Sequence, residues 1–179
     1  MREFCKDLDS FALSLRKVAD IGYTTVQISG TCQYDPQWLK EQLDKNGLQC
    51  VITHIPAQRL QEETRQVCDD HKIFGCRHIG LGYFDFKKVP PEEAYPAFLE
   101  QFKPVAKTIR ENGLYFMYHN HDAVMSVVGE GNINFDAVLN AAEDAGTQYL
   151  LVEQDNCNGE DPFDCLRRSY EFLSSRGFK

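Results

Sequence analysis

The sequence predicts an α/β fold, a parallel sheet covered by helices. Three observations predict it. Helical segments with apolar residues three and four apart alternate with short, almost wholly apolar runs rich in β-branched residues. Gly22, Gly47, Gly75, Gly113 and Gly146 each stand between a helix and the strand that follows it. Their spacing of 25 to 38 residues is that of βα units rather than of a short-repeat solenoid. Strands apolar on both faces are buried on both faces, and that is the pattern of parallel sheet.

Each element follows from its residues. Leu8, Phe11, Ala12, Leu15, Val18 and Ala19 make the first helical stripe, which Gly22 ends. YTTVQISG is then the first strand. Asp35-Pro36 supplies the cap and first residue of a second helix, with Leu39 and Leu43 inward, and LQCVITHIP follows Gly47 as a strand. A third helix carries Leu60, Val67 and Cys68 to Gly75, ahead of the strand CRHIGLGYF. The fourth runs from Pro91 to Asn112, with a kink or a division into two helices expected at Pro104, and LYFMYHNH follows Gly113. Phe135, Val138, Leu139 and Ala142 mark a fifth helix, before the strand TQYLLVEQD. Asp161-Pro162 opens a last helix that ends at Gly177. No linker or low-complexity stretch interrupts the pattern, so one domain spanning 1–179 is expected.

Composition narrows the function classes. A chain of 179 residues, 42% hydrophobic and 26% charged, is of globular type and long enough to bury a core. Its net charge of -8 repels phosphate backbones, so nucleic acid is not expected as a partner. No run reaches the ~18 apolar residues of a membrane span, and MREFCKDLD has no apolar signal core. No membrane partner and a cytoplasmic location are therefore expected. The seven cysteines include no C-x-x-C pair and read as reduced thiols packed in the core.

In parallel sheets the reactive groups gather at the carboxyl ends of the strands. Those ends read QISG, THIP, GLGYF, YHNHD and VEQD. His119 and His121 lie two apart on a strand and leave the same face, as a metal pair, a clamp on sugar hydroxyls, or a structural pair. His54 ends its strand in the same way. His71 and His78 sit inside elements and read as ordinary surface or core residues. Glu153 and Asp155 share a face, with Gln154 opposite. A glutamate closing an apolar strand needs a cation or donor beside it, so Glu153 is a metal ligand, a base, or half of a structural ion pair. Gly129-Glu130-Gly131 lacks a phosphate-loop pattern and reads as a turn before a helix.

Taken together, VADIGYTTVQISG, GLQCVITH, GLYFMYHNHD, VGEGNINF and YLLVEQD, with the tail DPFDCLRRSYEFL, resemble the sugar phosphate isomerase/epimerase family. Its members adopt the xylose isomerase-like TIM barrel, and a distant branch contains zinc-dependent apurinic endonucleases. The resemblance implies metal-assisted proton transfer beside a carbonyl, on a sugar, sugar phosphate or inositol-like substrate. It implies a divalent metal (Mn, Mg, Co or Zn), with Glu153 as ligand or base. It also implies a pocket lined by His54, His119, Asn120, His121, Gln154 and Asp155. A full barrel needs eight strands, and this sequence shows about five. The expected fold is thus an incomplete (β/α)8 barrel lacking the first strand and two βα units between about 124 and 129. The other metal-binding aspartate and histidine of the family belong to those units. An alternative stands beside the enzyme: a catalytically inactive remnant that binds a sugar or a partner. Exposed strand edges lead us to expect a homo-oligomer.

Overall fold

Aspartates start three of the helices. Asp7 accepts the Ser10 N–H at 2.8 Å ahead of α1 (Leu8–Ile21), and the Ser10 hydroxyl closes a capping box. Asp35 and Asp161 cap α2 (Pro36–Asn46) and α7 (Pro162–Ser175), each followed by proline in the first turn, as the sequence predicts. The computed structural model describes residues 2–84, 91–118, 127–130, 135–144, 149–153, 157 and 159–178. Within them the other elements are β1 (Thr25–Ser29), β2 (Gln49–Ile55), α3 (Ala57–Glu62), α4 (Thr64–Phe74), β3 (His78–Leu81), α5 (Pro91–Glu111), β4 (Tyr115–Tyr118) and α6 (Phe135–Asp144). A short 3-10 turn, Arg2–Phe4, precedes α1.

The four strands form one parallel sheet in the order β1-β2-β3-β4, so β1 and β4 are its edges. Helices pack against one face of it. Leu39, Leu43 and Phe74 meet Val26, Ile28 and Cys50 in one cluster, while Phe102, Val105 and Ile109 meet Ile55, Ile79 and Leu81 in another. Gly22 has a positive φ of 120°, and a Cβ there would lie 2.7 Å from the Tyr170 ring of α7. A glycine is needed at that position for both reasons. Tyr23 then donates its hydroxyl to the Leu166 carbonyl at 2.8 Å, tying α7 to the start of β1.

Three expectations are corrected. The third helix is two helices, α3 and α4, because Glu63 leaves the helical region at φ -127°, ψ 28°. Of the kink or division expected at Pro104, the division does not occur: α5 runs as a single helix through Pro96 and Pro104. Both prolines are exposed, so water can satisfy the carbonyl that loses its partner, while the buried Phe102, Val105 and Ile109 hold the helix together. Of the fifth strand, Tyr149–Glu153 is described and carries no strand pairing. All seven cysteines are free, and Cys5, Cys50, Cys68, Cys76 and Cys165 are buried, as small core residues are.

Candidate functional site

A bulge decides which face His54 occupies. Val26 pairs with Cys50 and Gln27 with Ile52, so Val51 is an extra residue in β2. Cys50 packs with Leu39, Leu43 and Phe74 on the helix side. By strict alternation Ile52 and His54 would join it. The extra residue reverses the alternation: Thr53 is fully buried against α4, and Ile52 and His54 turn to the opposite, inner face. The bulge itself is held, since His78 Nδ1–H donates to the Val51 carbonyl at 2.9 Å.

Across the inner face the register brings together Ser29, His54, Gly80 and Met117 in one row, at the end of β1 and one residue before the ends of β2, β3 and β4. Gln27, Ile52, His78 and Tyr115 form the row beneath it. His54 Nδ1 lies 3.4 Å from Gln27 Nε2 and 3.3 Å from Ser29 Oγ. Room for the ring comes from two glycines. A Cβ on Gly82 would sit 2.9 Å from His54 Nδ1, and one on Gly80 would sit 2.9 Å from His54 Cδ2 and 2.5 Å from the Thr53 carbonyl oxygen. His78 stacks on Tyr115 at 5.3 Å in the lower row, with the Arg77 guanidinium over the same tyrosine.

A cavity of about 460 Å³ opens along the outer edge of β1. Thr25–Ser29 form one wall and Leu150–Glu153 another; Phe11, Leu15 and Val18 of α1 close the apolar end. Its polar groups include Gln27, Ser29, Thr31, Glu153 and Glu3. Its size and mixed lining are those of a small-molecule pocket. Glu153 therefore shares a cavity with the two residues that contact His54, although it stands on an irregular segment and not at the end of a strand.

Of the residues expected at the site, His54 and Glu153 fall within this region, while His119, Asn120, His121, Gln154 and Asp155 lie outside the described residues. Among the described residues no three His, Cys, Asp or Glu side chains converge as metal ligands, so those residues do not build the divalent-metal centre the resemblance implies. Gln27 and Ser29 were not foreseen, although TVQIS signals them: Gln27 and Ser29 alternate with the buried Val26 and Ile28. Glu130, in the predicted Gly-Glu-Gly turn, pairs with Arg168 of α7 at 3.2 Å, and Val128 N–H donates to Ser169 Oγ at 3.1 Å. That segment is docked on α7 as structure.

His71, expected to be ordinary, is buried, with its Nδ1 2.6 Å from the Val67 carbonyl and its Nε2 2.7 Å from the Thr53 hydroxyl. Burial holds its pKa down to about 4, partly offset by the Val67 hydrogen bond. It is a satisfied structural histidine on the helix side of the sheet.

No protein-family model matches the sequence, and no curated protein matches it. Solved structures do. The chain is similar to the crystal structure of a sugar phosphate isomerase/epimerase from Parabacteroides distasonis, at 16% identity over 94% of this chain and 89% of that one, with a TM-score of 0.77. An AP endonuclease of family 2 from Brucella melitensis is similar at 13% identity over 94% of this chain and 84% of that one, with a TM-score of 0.58. A probable 3-DHS dehydratase involved in petrobactin synthesis from Bacillus anthracis is similar at 11% identity over 95% and 68% of the two chains, with a TM-score of 0.53. Identities this low speak for fold and not for activity. What the likeness shows is the fold: four parallel strands with covering helices among the described residues, arranged as in those structures.

Proposed function

We propose that the chain is a sugar phosphate isomerase/epimerase homologue that binds a sugar or sugar phosphate at the carboxyl edge of its sheet. The observation that carries this reading is one cavity of about 460 Å³ lined by Gln27, Ser29 and Glu153, with His54 in contact with the first two. A polyhydroxylated ligand asks for several short polar side chains against an apolar wall, and this cavity offers both. The similarity to the Parabacteroides distasonis structure supports the substrate class. In this reading Glu153 takes a proton from the carbon beside a carbonyl and returns it, while Gln27, Ser29 and His54 hold oxygens. A bound divalent metal would polarise that carbonyl. The partner is a small molecule, since the net charge of -8 disfavours nucleic acid. The open β1 and β4 edges and the exposed Tyr115 and Met117 support self-association. No helix among the described residues is long and apolar enough to cross a membrane, and the free cysteines support a cytoplasmic location.

The test is calorimetric titration with a panel of sugars and sugar phosphates, with and without Mn, Mg, Co or Zn, followed by product analysis. Binding that weakens at least tenfold, ~1.4 kcal/mol, in Glu153→Ala and in His54→Ala is expected. Binding without turnover would convert the reading into the non-catalytic sugar binder. No binding by any of the panel would overturn both.

A further inference from the structure

Cys157 is half-buried and borders the cavity beside β1. Its thiol hydrogen-bonds to that of Cys165, which is fully buried in the first turn of α7. Local structure builds this contact. The Glu160 N–H donates to the Cys157 carbonyl at 2.9 Å and closes a turn, and the Cys165 N–H donates to the Asp161 carbonyl at 3.1 Å in the helix that follows. Arg168 braces both sides: its Nη2 donates to Glu160 Oε2 at 2.7 Å and to Cys165 Sγ at 3.6 Å, and its Nη1 pairs with Glu130 at 3.2 Å. Cys50 and Cys76 also hydrogen-bond to each other, but both are buried in the core cluster of Leu39 and Phe74. Of these two thiol pairs, the one at Cys157 is within reach of a solute.

We propose that Cys157 and Cys165 are a redox-responsive thiol pair, which hydrogen peroxide closes into a disulfide that staples the cavity wall to α7. The Cys157 sulfur, as thiolate, attacks a peroxide oxygen. An S–O bond forms, the O–O bond breaks, and the departing hydroxide takes up a proton as water. Cys165 gives up its proton and attacks the sulfenic sulfur; the S–S bond forms, the S–O bond breaks, and a second water leaves. Hydrogen-bonded sulfurs need only a small movement to reach the ~2 Å of a disulfide bond. Burial, and then the bond to Cys165, push the Cys157 thiol above the usual cysteine value. The resting pair is therefore protonated and reacts slowly, which suits a sensor of sustained oxidant and not a catalytic nucleophile. Cys157 and Leu166 of α7 both line the cavity, so the bond fixes one corner of it.

The test is peptide mapping of the full, folded chain after hydrogen peroxide, with free thiols alkylated on unfolding. No lysine or arginine lies between Arg110 and Arg167, so trypsin leaves Cys157 and Cys165, and no other cysteine, on one peptide. That peptide is expected to be unalkylated and lighter by two hydrogens. Further cleavage after Glu160 should give two pieces that part only on reduction. In the same digest Cys50 and Cys76 should carry the alkyl group. In Cys165→Ala the Cys157 sulfenic acid should accumulate and be trapped by dimedone, and in Cys157→Ser no disulfide should form at Cys165. A peroxide-treated peptide that stays fully alkylatable overturns the proposal. So does Cys157 driven to sulfinic or sulfonic acid while Cys165 stays reduced, or either cysteine joined to a different one. Should a variant fail to fold, the map of the unmodified chain decides alone.

Discussion

The two faces of the sheet are finished to different degrees. On the helix side Ile79 and Leu81 of β3 are 0% and 1% exposed, and Thr53 finds the buried His71 as its partner. On the inner side Tyr115 and Met117 of β4 are 52% and 43% exposed, and the polar groups Gln27 and Ser29 gather around the His54 ring. The difference follows from what each face needs. A helix side is completed locally, by the helix joining each strand to the next, whereas the inner face of a barrel is covered only by strands far away around the circle. The four strands of the described residues complete the first, while on the second Tyr115 and Met117 stay half-exposed.

The largest expected effect tests that asymmetry. Phe102→Ala on the helix side should cost ~3–5 kcal/mol of stability, whereas Tyr115→Ser on the inner face should stay within ~1 kcal/mol, by denaturant melts. Similar losses from both would show an inner face as well packed as the outer. Next comes pH. The folded pKa of His71, about 4, lies below the 6.5 of an unfolded imidazole, so the unfolded chain takes up a proton first. Stability present above pH 6.5 is lost as pH falls towards 4, by up to ~3 kcal/mol in all. His71→Gln should lose that dependence, while His54→Gln should keep it; the slope of melting free energy against pH in each variant decides.

Smaller is the effect of Gly82→Ala, at ~1–3 kcal/mol from overpacking against the His54 ring. In a His54→Ala background the same change should cost less than half as much, since only the Cβ contact at 3.0 Å remains. Equal costs in both backgrounds would mean that the ring is not what Gly82 makes room for. Last, light scattering after size exclusion should find a homo-oligomer, shifted towards monomer by Met117→Glu on the open face. A monomer with a sharp melt would count against the open-face account.

Much of the outer layer was legible in the sequence. The apolar stripe from Phe11 to Val18, the Asp-Pro starts at 35 and 161, and the glycine stops at 47, 75 and 113 depend on neighbours within a turn or two. The inner face was less legible because its rules are not local. Even on the helix side, His71 read as a surface or core residue without its partner, because Thr53 lies 18 positions away. Gln27 and Ser29 stood inside a run read as buried strand, and their meaning emerges only when the Val51 bulge turns His54 towards them. At Pro104 the division expected of a local breaker does not occur, because the packing of Phe102 and Val105 keeps the helix in one piece. Glu153 was expected at the end of a strand, and it stands instead on an irregular segment that lines the cavity beside β1.

The central claim is that ligand chemistry belongs to the β1 edge and the inner-face groups Gln27, Ser29 and His54, and that the helix side around Thr53 and His71 is scaffold. The imidazole resonances of His54 and His71 report on the two faces within one molecule. Titrating in a bound sugar or sugar phosphate should shift the His54 signals and leave those of His71 in place, and Glu153→Ala should abolish the shift. Equal movement of both histidines, or movement of His71 alone, would contradict the account.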